Sequence, residues 1–324
     1  MTASQLNDYV IGVDIGGTKV AAGFVNSAGE IGATTKVRMV SDGLAEEGTA
    51  AVAGAIDYLM DMGKKNQWPI RAIGICAPGP LDPFTGIIIN PPNVVCWRNY
   101  PLASEISRRY QLPVKIENDA NAAALAEVLW GAGKGFAKVF YLSIGTGIGT
   151  GLVLDGKIYN GRTGAAPEGG HVSIDYRGPV CGCGKRGCIE IYVSGPAIAR
   201  RAQARLESAN VQQAPILDLA GGQLQGVTCE VVSHAHSAGD VVAKETLLET
   251  VDLLSAWLGN IIDLLEPDVI VVGGGVAAVL RPFFGDIRAQ LPRWCINSRA
   301  QEIPIVPAHY GAESGIAGGA ALCQ

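Results

Sequence analysis

Residues 168–190 hold the densest chemistry in the chain. They run Glu168-Gly-Gly-His171, then Cys181-Gly-Cys183, Gly187-Cys188 and finally Glu190. One histidine and three cysteines fall within 18 residues, with Gly182, Gly184 and Gly187 among the thiols. A glycine-rich Cys-x-Cys-x4-Cys arc can wrap back so that three sulfurs face one centre. His171 would complete the Cys3His tetrahedron that zinc takes in closed structural sites. The alternative is three unrelated thiols in a loop; their spacing by one and four residues among glycines favours the metal. A metal there would hold the backbone of Glu168, His171 and Glu190. Two fixed carboxylates and an imidazole are groups that can grip a hydroxyl-rich ligand.

Two glycine turns come next. Gly16-Gly17-Thr18-Lys19 follows a strand predicted over 9–15 and precedes a returning strand over 20–25. Gly145-Thr146-Gly147 opens a second turn that runs to Gly151, between strands predicted over 138–144 and 152–154, with Asp155-Gly156 as the next hairpin turn. The plan recurs after about 130 residues, which predicts two domains of similar topology. Both turns could cradle phosphate with backbone N–H groups and a hydroxyl, Thr18 in the first and Thr146 in the second. The alternative is a pair of ligand-free glycine hairpins. Neither turn is a Gly-x4-Gly-Lys-Ser/Thr loop, and neither is a dinucleotide fingerprint, because a strand follows rather than a helix. Gly273-Gly274-Gly275 differs: it follows a strand over 268–272 and opens a helix. It either lets a flat ring such as adenine lie on bare backbone or serves tight strand–helix packing.

A short strand over 114–116 delivers Glu117-Asn118-Asp119-Ala120-Asn121 to a helix over 122–130. Polar residues between a strand's C-terminal end and a helix are where α/β folds place chemistry. Asp119 is either a catalytic carboxylate or a helix N-cap, and the helix terminus would lower its pKa. The small residues Ala120, Ala122, Ala123 and Ala124 would let this helix lie close to its neighbours.

The rest of the chain must position these groups. Helices are expected over 46–62, 195–206, 240–265 and 315–322, and strands over 72–77 and 303–307. Residues 81–98, with Asn90, Asn93 and Trp97, read as loop, as do residues 207–227. At 324 residues about two domains are expected. Apolar residues make up 48% and charged residues 17%, enough for sizeable cores. The net charge of −5 with scattered basic residues argues against a nucleic-acid partner. No apolar run reaches the ~18 residues of a membrane span, and the N-terminus lacks a signal-peptide pattern. Lone thiols beside a thiolate metal site fit a reducing cytoplasm.

Taken together and in order, Asp14-Ile-Gly-Gly-Thr18, Ser143-Ile-Gly-Thr-Gly147, the His171/Cys181/Cys183/Cys188 box and Gly273–Gly275 resemble the ROK family of bacterial sugar kinases. The metal box with its flanking glutamates is the most specific part; the glycine turns are shared across the hexokinase–actin superfamily. The resemblance implies an α/β, two-domain actin-like ATPase (hexokinase-type) fold with a ligand cleft between the domains. Residues 1–118 plus 309–324 would form the smaller domain, and 119–308 the larger one with the zinc loop. It implies ATP-dependent phosphorylation of a hexose at its primary hydroxyl in carbohydrate metabolism, glucose being the first expectation; N-acetylmannosamine, N-acetylglucosamine, fructose and mannose are the alternatives. Cofactors would be ATP, Mg2+ and structural Zn2+, and the assembly a homodimer or homotetramer.

Carried over residue by residue, Asp119 would be the base. Gly79, Asn93, Asn118, Glu168, His171 and Glu190 would bind the sugar. Asp14 would sit near magnesium, Gly16, Gly17, Thr18, Lys19, Thr146 and Gly147 would face the phosphates, and Gly273, Gly274 and Gly275 the adenosine. His171, Cys181, Cys183 and Cys188 would bind zinc. One departure is Gly169, where the family usually has a larger apolar residue. The family also contains sugar-responsive transcriptional regulators; the 13 residues ahead of Asp14 are too few for a DNA-binding module, which disfavours that reading.

Overall fold

The structure, a computed structural model, describes residues 8–209 and 213–324. The signal-peptide reading of residues 1–7, and residues 210–212 of the expected 207–227 loop, lie outside them.

The apolar run Tyr9–Ile15 forms β1, buried along most of its length. β2 (Lys19–Val25) pairs with it antiparallel, Ile15 opposite Val20. β3 (Ile31–Arg38) pairs antiparallel with β2 and alternates half-buried with exposed residues, as suits a sheet edge. In α1 (Ala45–Asn66), Glu47 Oε2 accepts the Leu44 N–H at 2.7 Å and so satisfies one donor of the first turn. Val52, Ile56 and Leu59 form its buried stripe. β4 (Ile70–Ala77) runs parallel to β1. β5 (Leu81–Asp82) and β6 (Ile87–Ile88) make a small hairpin inside the loop-rich 81–98 segment. After α2 (Leu102–Tyr110), β7 (Val114–Asn118) lies parallel to β4 and leads directly into α3 (Asp119–Trp130). The first sheet therefore has the order β3-β2-β1-β4-β7.

The second sheet repeats that plan. β8 (Lys138–Ile144), β9 (Ile148–Leu154) and β10 (Lys157–Ile158) come first. Then follow α4 (Glu190–Val193), α5 (Gly195–Ser208), α6 (Pro215–Leu219), α7 (Cys229–Ser237) and α8 (Val241–Leu265). Asp240 caps α8, accepting the Ala243 N–H at 2.8 Å. β11 (Val269–Gly273), α9 (Ala277–Leu280), α10 (Phe284–Gln290), β12 (Ile305–Pro307) and α11 (Ser314–Ala321) complete the chain. The strand order β10-β9-β8-β11-β12 is the first sheet's order again. The repeat read from the two glycine turns is thus a repeat of whole sheets.

The chain divides into two compact units. One comprises residues 8–141, Gly151–Pro167 and Ala308–Gln324; the other Leu142–Thr150 and Glu168–Pro307. This differs from the expected division at 118/119, because α3 belongs to the first unit. The cause is close backbone packing by α11. A Cβ on Gly74 of β4 would lie 1.7 Å from Gly319 O, and one on Gly318 would lie 2.8 Å from Ala122 C. α11 thus needs glycines and alanines both below it and beside it, and the alanines of α3 supply one side. On the other face of the first sheet, Val13, Val20, Val52, Ile56, Leu59 and Ile75 form the core, each side chain worth about 1.5–3 kcal/mol of burial. Among the described residues, no helix is long and apolar enough to cross a membrane.

Candidate active site

In the first unit the site is built on strand ends. Asp14 lies near the end of β1, level with Ala21 of β2 and Cys76 of β4. The turn beyond it closes with Gly16 N–H donating to Lys19 O at 2.9 Å, and it leaves Thr18 and Lys19 exposed. Asn93 packs on this turn: a Cβ at Gly17 would sit 3.0 Å from Asn93 O. Burial and the nearby Asp119 carboxylate push the Asp14 carboxyl up to about 6, with Lys19 opposing. A carboxylate held in that state gains from a cation beside it.

Asn118, not Asp119, is the N-cap of α3; its Oδ1 accepts the Ala120 N–H at 3.0 Å. The Asn118 amide nitrogen faces Gly79, where a Cβ would lie 3.4 Å from it. Asp119 is the first residue of the helix, exposed, with Oδ1 accepting the same Ala120 N–H at 2.7 Å. Surrounding protein raises its carboxyl above the usual range, and the backbone N–H groups of Ala120 and Asp119 only partly offset this. The lowered value expected from the helix terminus is therefore corrected: desolvation outweighs the dipole here. A raised carboxyl is the better proton acceptor of the two.

Beneath these two residues lies a cluster that residue types alone did not reveal. Glu117 is buried; its Oε1 accepts the Asn118 N–H at 2.8 Å and its Oε2 accepts from Asn160 Nδ2 at 2.6 Å. Asn121 Nδ2 donates to Ala166 O at 2.9 Å. Val114-Lys115-Ile116-Glu117 alternates apolar with polar residues, so the sequence places Glu117 on an outward face and gives no sign that it is buried. Of the polar residues in the 81–98 segment, Asn90 accepts from Arg98 Nη1 at 2.6 Å. Trp97 is core, donating to Ala45 O at 3.2 Å.

In the second unit the metal box closes as its spacing predicted. The ligand atoms of His171, Cys181, Cys183 and Cys188 all lie within 4.8 Å of one another. Cys181 Sγ is 3.7 Å from His171 Nδ1, and Cys183 Sγ is 3.7 Å from Cys188 Sγ. With Zn–S bonds of about 2.3 Å, the edge of a tetrahedron is about 3.8 Å, close to these separations, so the donor set fits that ion. Burial and the neighbouring sulfurs push the Cys188 thiol up to about 12, which a cation would reverse. Glu190 joins this box to the second glycine turn. Its Oε1 lies 3.9 Å from His171 Nδ1, while its Oε2 accepts the Ile148 N–H at 2.9 Å. A Cβ at Gly147 would sit 2.6 Å from that same Oε2.

The third glycine site packs against the second. Val276 N–H donates to Ile144 O at 2.9 Å, and a Cβ at Gly274, whose φ is +85°, would lie 2.3 Å from that carbonyl. Gly195 N–H donates to Gly145 O at 2.8 Å, so the head of α5 braces the turn that exposes Thr146. Glu168 is exposed just ahead of the buried Gly169. The missing side chain at Gly169 has a physical account. Its Cβ would meet Thr150 at 2.9 Å and Trp257 Cζ2 at 3.3 Å, so the buried indole fills that space.

A paired-sheet fold with a tethered Cys3His loop and three glycine turns defines a class, and comparison with known proteins agrees. The family model described as "ROK family" matches residues 10–324, and the chain belongs to that family. It is 34% identical to the glucokinase of Streptomyces coelicolor over 97% of both chains. The crystal structure of a ROK family glucokinase from Streptomyces griseus, in complex with glucose and AMPPNP, superposes with a TM-score of 0.80 at 36% identity, covering 97% of this chain and 98% of that one. The xylose repressor of Bacillus subtilis is 26% identical over 94% of this chain but 73% of its own. The fold is that of the actin-like ATPases and hexokinases.

Proposed function

We propose that the chain is an ATP-dependent hexose kinase, transferring the γ-phosphoryl group of ATP to the primary hydroxyl of glucose. The observation that carries this reading is Asp119: a carboxylate that reaches the surface at the head of α3 while the protein packed around it raises its pKa, in a chain similar along its length to glucokinases.

Asp119 orients the primary hydroxyl and takes its proton as the oxygen attacks the γ-phosphorus and ADP leaves. General-base catalysis of this kind contributes about 10²–10⁴-fold, and the rest comes from positioning and electrostatics around a loose transition state. Gly79, Asn93, Asn118, Glu168, His171 and Glu190 are the residues we assign to the sugar hydroxyls; Oε2 of Glu190 also accepts the Ile148 N–H. His171 turns Nδ1 toward Cys181 and leaves Nε2 for a hydroxyl, so the metal box helps set sugar recognition. The backbone around Gly16–Lys19 and Thr146–Gly147 faces the phosphates, and Gly273–Gly275 the adenosine. Asp14 would hold magnesium, which neutralises phosphate charge. His171, Cys181, Cys183 and Cys188 would hold zinc, whose part is structural. The enzyme works in the cytoplasm as a homodimer or homotetramer.

Hexose phosphate formation measured over a panel of hexoses, with ATP and with polyphosphate as donor, and ADP release in the ATP arm, test the reading. Turnover is expected with ATP and highest with glucose; no hexose-dependent ADP release from any sugar would reject it.

A further inference from the structure

We propose that Glu117 is a positioning residue that sets the aim of Asp119. The proposal rests on the kinase reading above and assigns the group that holds its base in place.

The Asp119 side chain accepts the N–H of the next residue, Ala120, at 2.7 Å. Its direction is therefore set by the backbone at the β7–α3 junction. Glu117 governs that junction. It is 3% exposed, and its Oε1 accepts the Asn118 N–H at 2.8 Å, the peptide group one residue before Asp119. The same oxygen lies 3.5 Å from Asn121 Nδ2, one turn into the helix. Its Oε2 accepts from Asn160 Nδ2 at 2.6 Å, and Asn121 reaches on to Ala166 O. One carboxylate thus ties the strand end, the first turn of α3 and the Gly151–Pro167 segment, whose chain continues into Glu168. Burial raises the Glu117 carboxyl, and the Asn118, Asn160 and Asn121 donors oppose that. An enclosed carboxylate is a poor device for stability alone, since an apolar residue of similar size usually serves as well. What it supplies is direction, through three hydrogen bonds on two oxygens.

Asn160 Oδ1 is buried without a hydrogen-bond partner. A turned Asn160 amide would present that oxygen to a glutamine at 117, so Glu117→Gln keeps both links and Glu117→Ala loses both. In purified full-length protein, kcat, the KM for glucose, the KM for ATP and the melting temperature are measured for Glu117→Ala, Glu117→Gln and Asn160→Ala. A misplacement of ~1 Å costs up to ~100-fold in rate. Folded Glu117→Ala should lose about 10- to 100-fold in kcat with the ATP KM within about two-fold of wild type, Asn160→Ala about ten-fold, and Glu117→Gln should retain most of the activity. A purely structural role would lower the melting temperature and leave kcat of the folded enzyme unchanged, and that result overturns the proposal. If Glu117→Ala does not fold, Asn160→Ala decides: unchanged kcat overturns it, a selective kcat loss supports it. Glu117→Gln as impaired as Glu117→Ala also overturns it. Asp119→Ala is run alongside; if it turns over normally the base assignment fails, and the role of Glu117 with it, whereas an inactive Asp119→Ala beside a fully active Glu117→Ala sinks this inference alone.

Discussion

Replacing a carboxylate at an active site usually costs activity and often stability; Asp14→Asn should cost the first and improve the second. Asp14 titrates near 6 in the folded chain against an ordinary 3.8, because burial and the Asp119 carboxylate disfavour its charge more than Lys19 favours it. The sign follows from linkage. Between those two values the folded state binds more protons than the unfolded one, so stability falls as pH rises through the window and stays reduced above it. The gap corresponds to about 3 kcal/mol at about 1.4 kcal/mol per pH unit. Neutral asparagine of the same shape removes that penalty. At pH 7.5, without nucleotide, Asp14→Asn should be more stable by up to about 3 kcal/mol, which is roughly 5–10 °C in melting temperature for a unit of this size. At pH 4.5 the gain should shrink to about 1 kcal/mol, because wild-type Asp14 is then protonated in the folded state. Calorimetry or dye-monitored melting at the two pH values reads this directly. Activity should fall at least ~100-fold, since a cation loses its anchoring charge. Wild-type activity should decline as pH drops below about 6, where Asp14 takes up its proton. A melting temperature at pH 7.5 equal to or below that of wild type, or a difference independent of pH, would refute the electrostatic account of this site.

Two further substitutions separate the functions of the second unit. Cys183→Ala should abolish bound zinc, measured by elemental analysis, lower the melting temperature and raise the glucose KM at least ~10-fold, because Glu190 and His171 lose a shared anchor. Gly274→Ala places a Cβ at a φ of +85° and against Ile144 O, a strain of about 1–2 kcal/mol. It should raise the ATP KM about ten-fold while glucose binding, followed calorimetrically, stays within about two-fold.

Local chemistry was readable from the sequence where neighbours along the chain make the site. The metal box is one arc, so its spacing predicts its closure. The strand–glycine turn–strand units are short-range patterns, and their repetition predicts two domains of similar topology; that the two sheets share one strand order is visible only in the structure. Distant contacts were not readable. Glu117 meets Asn160 from 43 residues away, and nothing in either residue's surroundings in the sequence says so. The helix-terminus argument for Asp119 was sound locally and wrong in sign, because the mass of protein around a carboxylate is a tertiary quantity. The division at 118/119 failed for the same reason: α11, from the far end of the chain, holds α3 in the first unit. β3 and α2 escaped notice because one is an edge strand with half its residues exposed and the other is nine residues without a side-chain cap. Gly169 departs from the family pattern in the sequence itself, but Trp257, which fills its space, is 88 residues away.

The most direct test of the central claim compares wild type with Asp119→Ala in coupled ADP release with glucose and ATP, after melting and metal analysis have shown both proteins folded and zinc-bound. The account predicts robust glucose-dependent turnover from the wild type, with glucose 6-phosphate as product, and a drop of at least ~100-fold in the variant. Near-normal turnover by folded Asp119→Ala would contradict it.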